Sequence, residues 1–143
     1  MLIEFYQNTP NGVFITIAAL MALLTALIMH RKKNFRDAAD SFRSKTLTEV
    51  QGIIPNNGAW LEPGINTLKT SIPAIKKYAL ELRPHIPFYK QKAFDRAVVK
   101  YCNTVSNTDY QTYVADMFYH NRDKVPQREL ISNTFSQMLG FTS

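Results

Sequence analysis

Apolar residues follow a pattern in several stretches of the chain, and the first stretch differs in kind from the rest. Residues 13 to 29 read VFITIAALMALLTALIM, with Thr16 and Thr25 the only polar side chains and no charge, Pro or Gly among them. A helix of this sequence is apolar on every side, which suits lipid better than one wall of a soluble core. From Gly12 to His30 there are 19 residues, which as a helix rise about 28 Å against a hydrocarbon core of roughly 30 Å. Nine strong inserters (Val13, Phe14, Ile15, Ile17, Leu20, Leu23, Leu24, Leu27, Ile28) together favour insertion by roughly 3 to 5 kcal/mol. A cleaved signal peptide needs a positive leading region and a small-residue cleavage site. The first eleven residues, MLIEFYQNTPN, hold Glu4 and no Lys or Arg, and His30-Arg31-Lys32-Lys33 follows the apolar run. The pattern therefore predicts a retained transmembrane helix over 12–30.

The later stretches are amphipathic. Phe35, Ala38, Ala39 and Phe42 recur at helical spacing, so this piece either continues the membrane helix or restarts after a bend; Leu47, Val50 and Ile54 carry a weaker stripe. Residues 31–60 are otherwise read as a basic juxtamembrane segment and loop. Their Ala-Phe alternation leaves a short strand open, and Asn56-Asn57-Gly58 marks a turn. Ile65, Leu68, Ile72, Ile75, Ala79 and Leu82 form one helical face. Pro73 either kinks that helix or starts a new one with Ser71 near its N-cap. Lys77 and Glu81 are spaced to pair on its outer side. Pro84 and Pro87 close it, and a helix from about Tyr89 to Asn103 follows, with Phe94, Ala97, Val98, Tyr101 and Cys102 on one side. The two should form an antiparallel hairpin. Residues 103–107 read as a polar linker and Thr108 as the N-cap of a third helix carrying Tyr110, Tyr113, Val114, Met117 and Phe118. A fourth, from about Val125-Pro126, presents Leu130, Ile131, Phe135, Met138 and Leu139 and stops at Gly140, a C′ residue.

The expected fold is all-α: one N-terminal transmembrane helix, then a small cytosolic helical bundle made of the hairpin and two C-terminal helices. The expected division is a short extracytoplasmic end (1–11), the membrane helix (12–30), the juxtamembrane segment (31–60) and the bundle (61–143). Composition agrees with a folded chain, since 45% hydrophobic and 20% charged residues among 143 exclude disorder. One cysteine, Cys102, excludes an internal disulfide and reads as a buried small hydrophobe.

Charge supplies the orientation. The chain carries 17 Lys+Arg against 11 Asp+Glu, for a net +6. Arg31, Lys32, Lys33 and Arg36 crowd one end of the apolar run, while the other end has only the amino terminus and Glu4. The positive-inside rule then places the N-terminus outside and the rest in the cytoplasm. The same four cations suit anionic lipid headgroups. A second basic stripe, Lys92, Arg96 and Lys100, repeats every four residues on the outer side of its helix. It is either a solvated face or a contact for headgroups or an acidic protein partner. Nucleic acid is not expected, because no recognised binding motif accompanies the stripe.

No assembled chemistry is legible. His30, His85 and His120 are scattered, and no phosphate loop, nucleophile elbow or zinc motif occurs. Asp37 and Asp40 sit among Arg36 and Arg43, as in an ordinary charged helix surface. The expectation is a non-enzyme without cofactor or metal. Phe35-Arg36, Phe42-Arg43, the helix around Ser71 to Leu82, and AFDRAVVKYC at 93–102 resemble a group of small single-pass bacterial inner-membrane proteins that have no assigned function. In that group the last segment often reads F-D-x-A-W-x-x-Y; Phe94, Asp95, Ala97 and Tyr101 match it, and Val98 replaces the Trp. The resemblance covers 35–102 and implies a bacterial inner-membrane location with a cytosolic helical domain. The functional expectation is a membrane-tethered interaction module that binds a protein partner or the anionic inner leaflet. The alternative is an accessory subunit of a larger membrane complex, packed through the small-residue steps Ala18, Ala22 and Ala26. An undetected membrane-bound enzyme comes third.

Overall fold

The computed structural model describes residues 11–51, 53–54, 62–111 and 127–142. Among the described residues every regular element is helical: α1 (Asn11–Glu49), α2 (Glu62–Leu82), a 3-10 turn (Arg83–His85), α3 (Phe88–Asn107), α4 (Gln127–Leu139) and a second 3-10 turn (Gly140–Thr142). The all-α expectation holds. Two compact units divide the chain, one ending at Asn34 and the other beginning at Phe35. The second unit therefore takes in residues ahead of 61 as well as the stretch expected to form the bundle.

The physical reason is the second half of α1. The stripe begun by Phe35, Ala39 and Phe42 continues through Thr46 to Val50, and Ala39, Phe42, Thr46 and Val50 are all buried. With a full core-facing side to cover, residues 31–49 take no loop or strand and extend the apolar helix without a break. The turn after it stays bonded, Ile53 and Ile54 both donating to the Val50 carbonyl at 3.1 and 3.3 Å. The Asn56–Gly58 turn lies outside the described residues.

Antiparallel pairing of α2 with α1 follows from two contacts in opposite order along the chains. Tyr78 Oη donates to Glu49 Oε1 at 2.9 Å, and Lys45 Nζ reaches Glu81 Oε2 at 2.9 Å. The Lys45 ammonium also lies 5.4 Å from the Tyr78 ring centre. Glu81 is thus engaged by Lys45 across the helix pair, and the expected i,i+4 bond with Lys77 is not its hydrogen bond. Ile65, Leu68, Ser71, Ile75, Ala79 and Leu82 are buried and Ile72 half-buried, as the stripe predicts. Pro73 stands exposed inside a helix that runs through it. Ser71 does not cap a new helix; its hydroxyl donates to the Leu68 carbonyl at 2.7 Å.

Between α2 and α3 the chain is pinned by Ile86, 3% exposed, whose N–H reaches the Arg83 carbonyl at 3.2 Å. Arg83 Nε holds Asp95 at 3.0 and 3.1 Å, tying the end of α2 to α3. The expected linker at 103–107 is instead the last turn and a half of α3. Val105 continues the Phe94, Val98, Tyr101 and Cys102 face into the core, and the Thr104 hydroxyl satisfies itself on the Lys100 carbonyl at 2.8 Å. Thr108 closes this helix by donating to the Thr104 carbonyl. The third predicted helix falls outside the described residues beyond Tyr110 and Gln111.

Aromatic rings tie the remaining faces together. Phe94 meets Phe42 edge-on at 5.9 Å and Phe141 at 5.6 Å, and Tyr101 meets Phe135 at 5.5 Å. The order of the last two pairs makes α4 antiparallel to α3. Phe141, which the sequence leaves beyond the helix end, folds back onto the core in the final 3-10 turn. Gly140 opens that turn without a left-handed backbone, so it is not a C′ residue of the usual kind.

Candidate membrane and partner contacts

The first unit is chemically simple. Its helix is long and apolar enough to cross a membrane, and none of its apolar window is buried. Ile15, Ile17, Leu20, Met21, Leu23, Leu24, Leu27, Ile28 and Met29 are each more than half exposed. The two polar side chains of residues 13–29 bond inward to the backbone, Thr16 Oγ1 to the Gly12 carbonyl at 2.8 Å and Thr25 Oγ1 to the Met21 carbonyl at 2.7 Å. Neither hydroxyl therefore presents an unmet donor to its surroundings, which is the condition a hydrocarbon environment sets. His30 bonds Asn34 at 3.1 Å one turn later.

Arg31, Lys32, Lys33 and Arg36 are exposed, and none makes an ion pair with a described residue. They spread around the helix rather than along one side, since successive residues turn by about 100°. A ring of free cations at the end of an apolar helix matches headgroup chemistry without requiring a shaped partner.

Of the second basic group, Lys92, Arg96 and Lys100 are all exposed. Arg96 Nε bonds the Lys92 carbonyl at 3.2 Å, and Lys100 Nζ reaches Gln137 Oε1 of α4 at 3.4 Å. Arg96 and Lys100 line an open groove of about 620 Å³ between α3 and α4, together with Val99, Asn103 and Leu130; Lys92 stands outside it. Asp95 also borders this groove, but Arg83 engages its carboxylate.

Among the described residues, Cys102 and Tyr101 are the buried titratable groups. Cys102 is 2% exposed, and burial pushes its thiol up, away from the thiolate a nucleophile needs. Tyr101 is fully buried, and burial raises its phenol far above the usual range. No group of three metal-ligating side chains assembles among the described residues. The residues of the F-D-x-A-x-x-x-Y pattern act in packing: Phe94, Val98 and Tyr101 are buried, and Asp95 holds Arg83.

One surface feature escaped the sequence pattern. Phe88 and Tyr89, at the start of α3, are 84% and 69% exposed. Their place directly after Pro87, ahead of the first core residue of the helix, was the available signal.

Fold and surface together define an all-α bundle continuous with an exposed apolar helix that ends in cations. No protein-family model, curated protein or solved structure matches the chain.

Proposed function

We propose that the protein is a membrane-tethered helical interaction module. The N-terminus lies outside, the α1 apolar stretch spans the bilayer, and the bundle faces the cytoplasm. The observation that carries the reading is the continuity of α1: an apolar stretch with no buried side and a core-forming stretch belong to one unbroken helix. A core helix of a soluble protein would be covered, and a cleaved signal would be released from the fold. His30-Arg31-Lys32-Lys33, directly after the apolar run, is no small-residue cleavage site, which supports a permanent anchor. Arg31, Lys32, Lys33 and Arg36 favour the cytoplasmic face, and Arg96 and Lys100 give the bundle a basic groove for an acidic partner.

The test is fractionation plus reporters at both termini. The full chain is expected to stay in membranes through carbonate washing, with a C-terminal fluorescent fusion bright and a C-terminal alkaline phosphatase fusion inactive. Release by carbonate, or an active phosphatase at Ser143, overturns the reading.

A further inference from the structure

We infer that the exposed aromatic corner formed by Phe88 and Tyr89 is a second membrane contact, seated in the headgroup layer of an anionic bilayer. The inference rests on the tethered reading and adds the place where the bundle itself meets lipid. The two rings touch each other edge to face, centroids 5.9 Å apart, while the other α3 aromatics, Phe94 and Tyr101, are buried. A fixed turn holds them out. Ile86 is sunk in the core, Gln91 Nε2 donates to its carbonyl at 3.0 Å, and the Lys90 N–H bonds the Pro87 carbonyl at 2.8 Å. Adjoining rings kept in water by a pinned backbone mark a contact patch.

Two observations select lipid as the occupant. The first is charge: Lys90 and Lys92 are exposed beside the rings, and Asp95, the one carboxylate of α3, is taken by Arg83. Aromatic rings flanked by lysines are the chemistry of the bilayer interface, rings at headgroup depth and ammonium groups on phosphates. The second is place within the bundle. Because α2 runs against α1 and α3 turns back again, α3 runs parallel to α1, with Phe94 against Phe42. Phe88 precedes Phe94 by six residues, about 9 Å of helix, and so sits level with Arg36. That is the end at which the chain comes in from its apolar segment. A tether already in the bilayer keeps this corner at high local concentration over the surface, so a weak contact suffices.

Trp60 is the only tryptophan, so a Trp60→Phe chain accepts single reporters. Three are placed in the full-length protein: Leu20→Trp in the anchor, Phe88→Trp at the corner, and Val99→Trp farther along the same exposed face of α3. Each is reconstituted in vesicles of phosphatidylcholine, with or without phosphatidylserine, carrying brominated acyl chains. Phe88→Trp is expected to shift to the blue and to be quenched in the anionic vesicles, while Val99→Trp stays water-exposed. Lys90→Gln and Lys92→Gln should each weaken the contact roughly fivefold, as added salt does. Quenching at Leu20→Trp without any at Phe88→Trp overturns the corner and leaves the tether standing. No quenching at either overturns both. A blue shift at Phe88→Trp that ignores bromine means a protein surface, a second copy or a partner, covers the rings, and it too overturns the inference.

Discussion

At the scale of single residues, the core combines well-used rings with a few polar groups that bring nothing. Phe94 touches rings from α1 and from the final turn, so Phe94→Ala should destabilise the fold by about 3 to 5 kcal/mol. Tyr101 packs as well, yet its Oη, like Thr46 Oγ1, is buried without a hydrogen-bond partner. Leaving such a group unmet costs about 1 to 3 kcal/mol, so Tyr101→Phe should raise stability by about 1 kcal/mol in denaturant unfolding. It should also change the pH profile. The folded phenol is held above its ordinary 10.0. Below that pH both states are protonated and the residue adds no slope; above it the unfolded chain ionises first and stability falls as pH rises. Tyr101→Phe removes that part of the alkaline loss, and a variant less stable than the parent would show that the hydroxyl has a use. Glu81 works in the opposite direction. Its hydrogen bond from Lys45 holds the carboxyl below 4.5, so its contribution is present above that pH and is lost as pH falls through the folded value.

Among elements, α2 and α4 end or bend by means that single residues announce only in part. Pro73 leaves the Lys69 carbonyl without its helical donor. The hydroxyls of Thr70 and Ser71 donate to the Thr67 and Leu68 carbonyls just before it, at 2.9 and 2.7 Å. The helix survives because Leu68, Ile75 and Ala79 still share one buried side. Gly140 shows the converse. Its backbone is not left-handed, and an added methyl would meet nothing within 4 Å, so Gly140→Ala should stabilise the protein by about 0.4 to 1 kcal/mol. A loss in thermal unfolding would mean that the turn needs glycine after all. The same contrast explains what the sequence disclosed. Stripes of large apolar residues were legible at once: Phe35 to Phe42, Ile65 to Leu82, Phe94 to Cys102 and Ile131 to Met138 all line the core. Polar residues that fold their hydroxyls back onto the helix were not legible, which is why Asn103 to Asn107 reads as a linker and Ser71 as a cap. The basic stripe was legible as charge. The exposed Phe88–Tyr89 corner was not, because aromatic residues next to a proline read as easily as core as they do as surface.

Across the whole molecule, the proposed reading gives α1 two tasks in sequence, anchor and then core, and the residues between them separate cleanly. Arg31, Lys32 and Lys33 lie in the first unit, exposed and without ion pairs to described residues, while the packing stripe begins with Phe35 in the second. If those three cations set orientation alone, their removal should leave packing untouched. Arg31→Gln, Lys32→Gln and Lys33→Gln, combined with lysines in place of Gln7 and Asn8, leave Arg36, Arg43 and Lys45 against two lysines and so nearly cancel the charge asymmetry across the apolar run. The positive-inside rule then predicts a mixed population, read by paired reporters at the two termini. The unfolding free energy of the detergent-solubilised bundle should move by no more than about 0.5 kcal/mol, the range of an ordinary surface change. A mixed orientation with unchanged stability separates the two tasks of the helix. A clear loss of stability would mean that the collar packs against the fold, and an unchanged orientation would mean that something other than the collar decides which way the chain faces.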